Sequence, residues 1–127
     1  MKLQGILAAV ATPFDHTGAI YRTKVQHNFE KWRRTSLAGF VVGSLAGEGP
    51  LLDAEEKIEL LRLAAPHVSE RTLVADVTAE GVSSAAKLAR LACGQTSGCR
   101  SFRSVSSFSN VISHWRTQSR MESPQNQ

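Results

Sequence analysis

Three short, continuous apolar runs recur along the first part of the chain. They cover residues 6–11, where Thr12-Pro13 ends the run, residues 39–43 and residues 73–77. Runs of this length without alternation are typical of strands buried on both faces, as in a parallel sheet. Their centres are spaced by roughly one βαβ unit, so the sequence predicts parallel strands joined by helical crossovers.

The stretches between these runs have helical periodicity. Val25, Phe29 and Trp32 share one face of a helix predicted over residues 21–36. A second helix begins at the N-cap Asp53, with Glu56 three residues later, close to the capping-box pattern. Its predicted inward stripe is Ile58, Leu61 and Ala65, and Pro66 marks its end.

A third helix completes the alternation of strands and helices. Ser83 or Ser84 can cap it, and Ala85, Leu88 and Ala92 form its inward face. The order strand, helix, strand, helix, strand, helix predicts α/β architecture over residues 1–93.

The composition changes abruptly after Cys93. Residues 94–127 contain no Leu, Ala, Lys or Asp, and nine of these 34 residues are serine. We therefore expect too little apolar material for a fourth strand and helix, and a second region that is disordered or loosely packed. An abnormal end to the reading frame, by frameshift or splicing, would explain such a break.

Most of the positive charge lies in the same region. The net charge is +4, and residues 94–127 contribute +3 from four arginines against one glutamate. With Trp115, the arginines would suit weak nucleic-acid binding by charge alone, which we rank last because an arbitrary sequence could carry them equally. These arginines are Arg100, Arg103, Arg116 and Arg120.

Cysteine usage and hydropathy indicate a cytoplasmic protein. Cys93 and Cys99 are too few for a disulfide framework and lack the spacing of a metal site. No apolar run approaches transmembrane length. The first residues faintly resemble a signal peptide, but Gln4 and Gly5 interrupt the apolar run, which favours a strand.

Several segments, taken in order, resemble one enzyme family. They include Thr12-Pro13-Phe14 after the first strand and Gly-Glu-Gly-Pro-Leu-Leu at residues 47–52 after the second. The matching segments are residues 5–14, 39–42, 47–52, 55–57, 73–77 and 83–89. Over about residues 3–93 the chain is similar to the N-terminal portion of the dihydrodipicolinate synthase and N-acetylneuraminate lyase family, the pyruvate-dependent class I aldolases.

The resemblance implies a partial TIM (β/α)8 barrel of three βα units, followed by an irregular tail. In this family a lysine forms a Schiff base with pyruvate or another 2-oxo acid, a carbon–carbon bond is made or broken, and no cofactor is needed. A loop after the second strand binds the pyruvate carboxylate. The residues that match as substrate-binding are Thr12, Ser44, Leu45 and Ala46.

The chain departs from the family pattern at the residues that bind the substrate and catalyse the reaction. Leu45 and Ala46 stand where the family has a hydroxyl pair, and the Schiff-base lysine and relay tyrosine belong to strands that this chain lacks. We therefore assign no catalytic residue and no metal ligand. The remaining candidates are predicted to be surface charges (Lys2, Lys24, Lys31, Lys57 and Lys87), a packing residue (Tyr21) and a structural acid (Glu48).

Two functions stay open beside nucleic-acid binding. The first is a truncated lyase or synthase of this family, inactive alone. The second is a non-catalytic interaction module that pairs with a full-length homologue. An open strand edge invites pairing with another chain, including a homo-oligomer, so we expect the isolated chain to be aggregation-prone or marginally folded.

Overall fold

The computed structural model describes residues 4–68 and 70–96, and the backbone of residues 101–105. The strands are β1 (Leu7–Ala9), β2 (Gly39–Val42), β3 (Thr72–Asp76) and β4 (Ser101–Val105). The helices are α1 (Arg22–Trp32), α2 (Ala54–Ala64) and α3 (Val82–Gln95). Short 3₁₀ turns cover Leu45–Gly47, Gly49–Leu51 and Ala65–His67. The predicted α/β class and the order of the first six elements are confirmed.

The four strands form one sheet in the order β1-β2-β3-β4, and every neighbouring pair is parallel. The register aligns Leu7 with Gly39, Gly39 with Thr72 and Thr72 with Ser101. A sheet whose strands follow chain order, each joined to the next through a helix, is the opening of a (β/α)8 barrel. The predicted partial TIM barrel is confirmed.

The helices cover one face of this sheet. Phe40, Leu73 and Val77 lie in the hydrophobic core cluster with residues of all three helices. The Phe29 ring of α1 meets the rings of Trp32 and Phe40 edge-on, with centroids 5.2 Å and 5.5 Å away. Aromatic pairs at this geometry add to the stabilisation from burial. The predicted stripe on α1 is therefore confirmed.

The opposite face of the sheet is covered much less. Ala9 of β1 is exposed, Val41 beside it is half-buried, and Val74 at the same level of β3 is buried. The prediction that the first strand is buried on both faces is therefore wrong among the described residues. In a complete barrel this face forms the interior.

A fourth strand corrects the interpretation of the serine-rich region. Ser101–Val105 pairs with β3 over five aligned residues, so the prediction that residues 94–127 hold no fourth strand is wrong. Ladder hydrogen bonds join main-chain groups, so such a segment can pair without a favourable side-chain pattern. Residues 97–100 and 106–127 lie outside the described part, and the division of the chain at residue 93 stays a prediction.

The two predicted helix caps have different outcomes. Asp53 Oδ1 accepts the Glu56 N–H at 2.8 Å, and Glu56 Oε2 accepts the Asp53 N–H at 3.0 Å, which confirms the capping box. The predicted serine cap of α3 is wrong, because the helix begins at Val82 with Gly81 as N-cap and no side-chain cap bond. The predicted inward residues of α3 are buried.

Candidate functional site

The loops that follow β1 and β2 meet at the carboxyl end of the sheet. Thr12, two residues after the buried Val10, donates its Oγ1 hydrogen to the carbonyl oxygen of Gly47 at 2.7 Å. Thr12 is only 5% exposed, so water competes little for this bond. The contact joins residues 35 apart in the sequence and fixes the second loop against the first.

Glycines shape the loop after β2. A Cβ at Gly49 would lie 1.7 Å from the carbonyl oxygen of Gly43, and one at Gly47 would lie 2.4 Å from that of Val10. Both approaches are to backbone atoms, which cannot swing away as side chains can. Gly47 and Gly49 are therefore required by the close packing of the loop.

The residue between these two glycines has an unusual backbone. Glu48 has φ 59° and ψ 25°, the left-handed conformation, which links the two 3₁₀ turns of the loop. A non-glycine residue in this region is uncommon and is held there by its surroundings. The Glu48 side chain is exposed. This geometry is in keeping with the structural role predicted for Glu48.

Ser44 opens the loop and carries its most distinctive polar group. Its carbonyl oxygen accepts the N–H groups of Gly47 and Gly49, each at 2.9 Å. Its Oγ is shielded from solvent and has no hydrogen-bond partner in the described part of the chain. A buried hydroxyl without a partner is costly, so the Ser44 hydroxyl is a donor that a bound ligand could satisfy.

The other two predicted substrate-binding residues contribute no polar side chain. Leu45 is 80% exposed and Ala46 is exposed as well. They begin the 3₁₀ turn Leu45–Gly47, and the first N–H groups of such a turn have no acceptor within it. The structure thus brings Thr12, Ser44, Leu45 and Ala46 into one corner, with Thr12 holding the loop in place.

A larger cleft lies beside this loop, over the ends of β2 and β3. It has a volume of about 740 Å³, and its walls include Leu45, Asp76 and Ser84. Lys57 lines it too, and its Nζ donates to the carbonyl oxygen of Thr78 at 2.9 Å. The cleft therefore offers an ammonium group and a carboxylate within one concave surface.

Sequence reasoning missed the position of Lys57. It was predicted as a surface charge on a helix, and it does lie on α2, but its side chain is half-buried at the wall of the cleft. The available signal was the Asp53 N-cap four residues earlier. In a parallel α/β fold the N-terminus of a helix lies at the same end as the carboxyl ends of the strands, so a lysine in the first turns can reach that end.

The remaining candidates lie apart from this corner. Lys24, Lys31 and Lys87 are exposed on helices as predicted, and Lys2 lies outside the described residues. Tyr21 was predicted to pack, yet its side chain is 48% exposed at the start of α1. Across the described residues, His, Cys, Asp and Glu side chains form no group of three that could hold a metal ion.

The turn after β1 contains Asp15, a carboxyl group whose pKa is lowered by its neighbours. Hydrogen bonds lower the pKa of the Asp15 carboxyl below its ordinary value, first from the Thr17 hydroxyl and then from the Thr17 N–H. The Ala19 N–H adds a third bond at 3.1 Å. Asp15 thus organises a turn at the same end of the sheet as the candidate site.

No helix within the described ranges is long and apolar enough to cross a membrane.

Comparison with protein families gives one match over most of the chain. The model of the dihydrodipicolinate synthetase family matches residues 2–118. Among curated relatives, 4-hydroxy-tetrahydrodipicolinate synthase of Leuconostoc mesenteroides is 31% identical over 91 residues, which is 68% of this chain and 32% of that protein. N-acetylneuraminate lyase of Haemophilus influenzae is 30% identical over 95 residues, 71% of this chain and 31% of that protein.

Solved structures agree. A 4-hydroxy-tetrahydrodipicolinate synthase from Methylacidiphilum fumariolicum superposes with a TM-score of 0.72 at 30% identity, over 86% of this chain and 36% of that one. N-acetylneuraminate lyase of Proteus mirabilis gives 0.73 at 21% identity, over 84% of this chain and 35% of that one, which supports the fold. The chain spans about a third of the length of the relatives it matches.

Proposed function

Because the chain belongs to the dihydrodipicolinate synthetase family, we propose that it forms the part of a Schiff-base aldolase or lyase that holds the carboxylate of a 2-oxo acid such as pyruvate. The reaction class is carbon–carbon bond formation or cleavage, with the 2-oxo acid as one reactant. The proposed carboxylate site is the corner of Thr12 and residues 44–46.

The observation that carries this proposal is the shielded, unpartnered hydroxyl of Ser44. A carboxylate has acceptor oxygens that need several charge-assisted hydrogen bonds. The Ser44 hydroxyl and the N–H groups of Leu45 and Ala46 are donors of the required kind, on a loop that the Thr12–Gly47 bond holds still. Preorganised donors of this sort bind an anion with little reorganisation.

The amine needed for a Schiff base does not come from this corner. The four described lysines all lie on helices: Lys24 and Lys31 on α1, Lys57 on α2 and Lys87 on α3. Imine formation in a barrel needs an amine directed into the ring of strands. We therefore propose that these 127 residues bind the 2-oxo acid weakly and do not catalyse the reaction by themselves.

The proposal extends to location and partners. We place the chain in the cytoplasm, in keeping with its two cysteines and the absence of a disulfide framework. The expected small-molecule partner is pyruvate or a related 2-oxo acid. The expected macromolecular contact is through the outer strands of the sheet.

Borohydride trapping tests the absence of catalysis. The chain is incubated with pyruvate and borohydride, and its intact mass is measured beside a complete family enzyme as positive control. We expect the control to gain one reduced pyruvate and the chain to gain none. A stable adduct on a lysine, with Lys57 as the first residue to examine, would show that a local amine has taken the role.

A graft tests the carboxylate site. Residues 4–96 replace the corresponding segment of the Leuconostoc mesenteroides synthase, and the KM for pyruvate is measured. Changing Leu45 to Thr in the graft adds a hydroxyl, and we expect the KM to fall by roughly tenfold, since one hydrogen bond to a charged group contributes about 1.5–3 kcal/mol. Ser44→Ala should raise it by a similar factor. Equal KM values for the parent graft and its two variants would show that this loop does not bind the carboxylate.

A further inference from the structure

The outer side of α1 carries an excess of positive charge. Residues 22–34 hold five lysines and arginines against Glu30 alone, a net charge of +4, so the rest of residues 1–93 is net negative. Every exposed residue of the helix is polar or charged, while its apolar residues Val25 and Phe29 are buried. The side of α1 that faces water therefore has one dominant charge sign and no apolar patch.

Four residues of this segment form a single row along the helix, which we call the basic row. It consists of exposed residues spaced by three, four and three positions, namely Lys24, His27, Lys31 and Arg34. Residues at this spacing lie above one another on one face of a helix. At a rise of 1.5 Å per residue, the distance along the axis from Lys24 to Arg34 is about 15 Å.

The charges of the basic row have no anionic partner in the part of the chain that the structure describes. The ion pair that α1 makes there joins Arg22 to Glu59 of α2. Arg22 lies two residues before Lys24, which places it on the opposite side of the helix. Lys24, Lys31 and Arg34 thus point away from the acidic residues of α2, and their charges are not neutralised by the neighbouring helix.

The backbone at the end of the row is fixed by Arg71. Its guanidinium donates to three carbonyl oxygens of residues 32–35. The Arg34 N–H donates to the carbonyl oxygen of Lys31 at 3.2 Å, so the chain continues as a tight helical turn after α1. The row is therefore carried by ordered backbone along its whole length, and a partner meets charges whose spacing is already set.

We propose that the basic row binds the phosphate backbone of double-stranded nucleic acid, without regard to base sequence. Ammonium and guanidinium groups recognise phosphates through charge-assisted hydrogen bonds. A duplex carries one negative charge per about 1.7 Å of its axis, so a row of about 15 Å lies beside several phosphates. Contacts to phosphates fix position and carry no sequence information.

The character of α1 favours a duplex over two other anionic partners. The helix exposes no aromatic ring, and single strands are usually bound by stacking their bases on such rings. It also exposes no apolar side chain, which a helix needs in order to enter a membrane interface. The binding uses none of the residues of the proposed carboxylate site, so it stands whether or not that site takes a 2-oxo acid.

Fluorescence anisotropy of a labelled DNA duplex of mixed sequence tests the proposal on the full 127-residue chain. Affinity is measured over a range of salt concentrations for the parent chain and for a variant that combines Lys24→Gln, Lys31→Gln and Arg34→Gln. We expect the variant to bind at least about tenfold more weakly at low salt. The slope of log affinity against log salt should fall in magnitude by about 2–3, because each phosphate contact contributes about 0.9.

A second variant of the same net charge separates the basic row from the overall charge. It combines Arg100→Gln, Arg116→Gln and Arg120→Gln, and so loses the same number of charges from the C-terminal region. We expect its affinity to stay within about threefold of that of the parent chain. Exchanging Lys24 and Lys31 for arginine, which keeps the charge, should retain binding.

Acetylation of the unmodified chain gives a further test that does not depend on a variant folding. Lysines are labelled with and without the duplex, and the modified sites are identified by mass spectrometry. We expect the duplex to protect Lys24 and Lys31, while Lys87, which is exposed on α3, reacts equally in both samples.

Several outcomes would overturn the proposal. They are an absence of binding at low salt, equal losses of affinity for the two triple variants, unprotected Lys24 and Lys31, and binding by a chain without helical circular dichroism. Tighter binding to a single strand of the same sequence, or to vesicles of anionic phospholipid, would overturn it too, because the partner would then be of another class.

Discussion

The hydroxyl of Thr12 donates to the carbonyl oxygen of Gly47 at 2.7 Å and so joins the loops after the first two strands. The bond is buried, and Gly47 itself lies so close to the carbonyl oxygen of Val10 that no side chain fits there. The two loops therefore hold their positions as one unit.

Thr12→Val should destabilise the chain by about 1–2 kcal/mol, because it keeps the shape and leaves the Gly47 carbonyl without its donor. Thr12→Ser, which keeps the hydroxyl, is the matched control and should lose less. Urea unfolding followed by circular dichroism, at one fixed protein concentration, measures both. An unchanged midpoint for Thr12→Val would show that the bond is replaced by water.

Gly49→Ala should be severely destabilising, by about 3 kcal/mol or more, because its Cβ would overlap the Gly43 carbonyl group. The control is Gly94→Ala in the last turns of α3, where no atom of the described residues lies within 4 Å of the added methyl. That change should stabilise the chain by up to about 1 kcal/mol, since alanine favours a helix. Thermal melts of the two variants should shift in opposite directions.

Asp53→Ala should lower the free energy of unfolding by about 1 kcal/mol, because it removes the acceptor for the Glu56 N–H at the start of α2. Ser84→Ala is the comparison, since Ser84 makes no cap bond to α3. It should change stability by less than about 0.5 kcal/mol. A larger loss of stability for Ser84→Ala than for Asp53→Ala would contradict this assignment, because it would show that Ser84 caps its helix and Asp53 does not.

Arg71→Lys should destabilise the chain by about 1–3 kcal/mol. The guanidinium donates to the carbonyl oxygens of Trp32, Arg33 and Thr35 at the end of α1, and it lies 5.8 Å from the centre of the Phe40 ring. A lysine keeps the charge but cannot make three such bonds in fixed geometry. Arg34→Lys, at an exposed position, should have little effect in the same denaturation experiment.

Asp15→Asn should make stability less dependent on pH in the acidic range. The folded pKa of Asp15 is lowered from 3.8 by its hydrogen bonds, so its contribution is complete above the unfolded pKa and is lost as pH falls through the folded value. The parent chain should therefore exceed the variant in melting temperature at about pH 6, and the gap should narrow as the pH falls through the lowered pKa of Asp15. A gap that stays constant with pH would assign the effect to packing.

The regular elements could be predicted from sequence because their signals are local. The apolar run ending at Thr12-Pro13 and the stripe of Val25, Phe29 and Trp32 each report a strand or helix from neighbouring residues alone. The Asp53 capping box likewise needs only four residues. Such patterns arise because the apolar residues that a helix or strand buries recur along the sequence with the spacing of that helix or strand.

The site was harder to predict because its contacts are long-range. The bond from Thr12 to Gly47 and that from Lys57 to Thr78 each join loops that only the assembled sheet brings together. The fourth strand was not predicted for another reason. Ser101–Val105 pairs with β3 through backbone hydrogen bonds, and the pattern of hydrophobic side chains does not reveal where such bonds form.

The strands lie in space in the order in which the chain is made. When β2 leaves the ribosome, β1 already exists beside it, and β3 and β4 likewise find their neighbours already synthesised. No strand must wait for a later segment to insert between two earlier ones. The sheet can therefore be built one edge at a time during translation, each new strand pairing where the last one stopped.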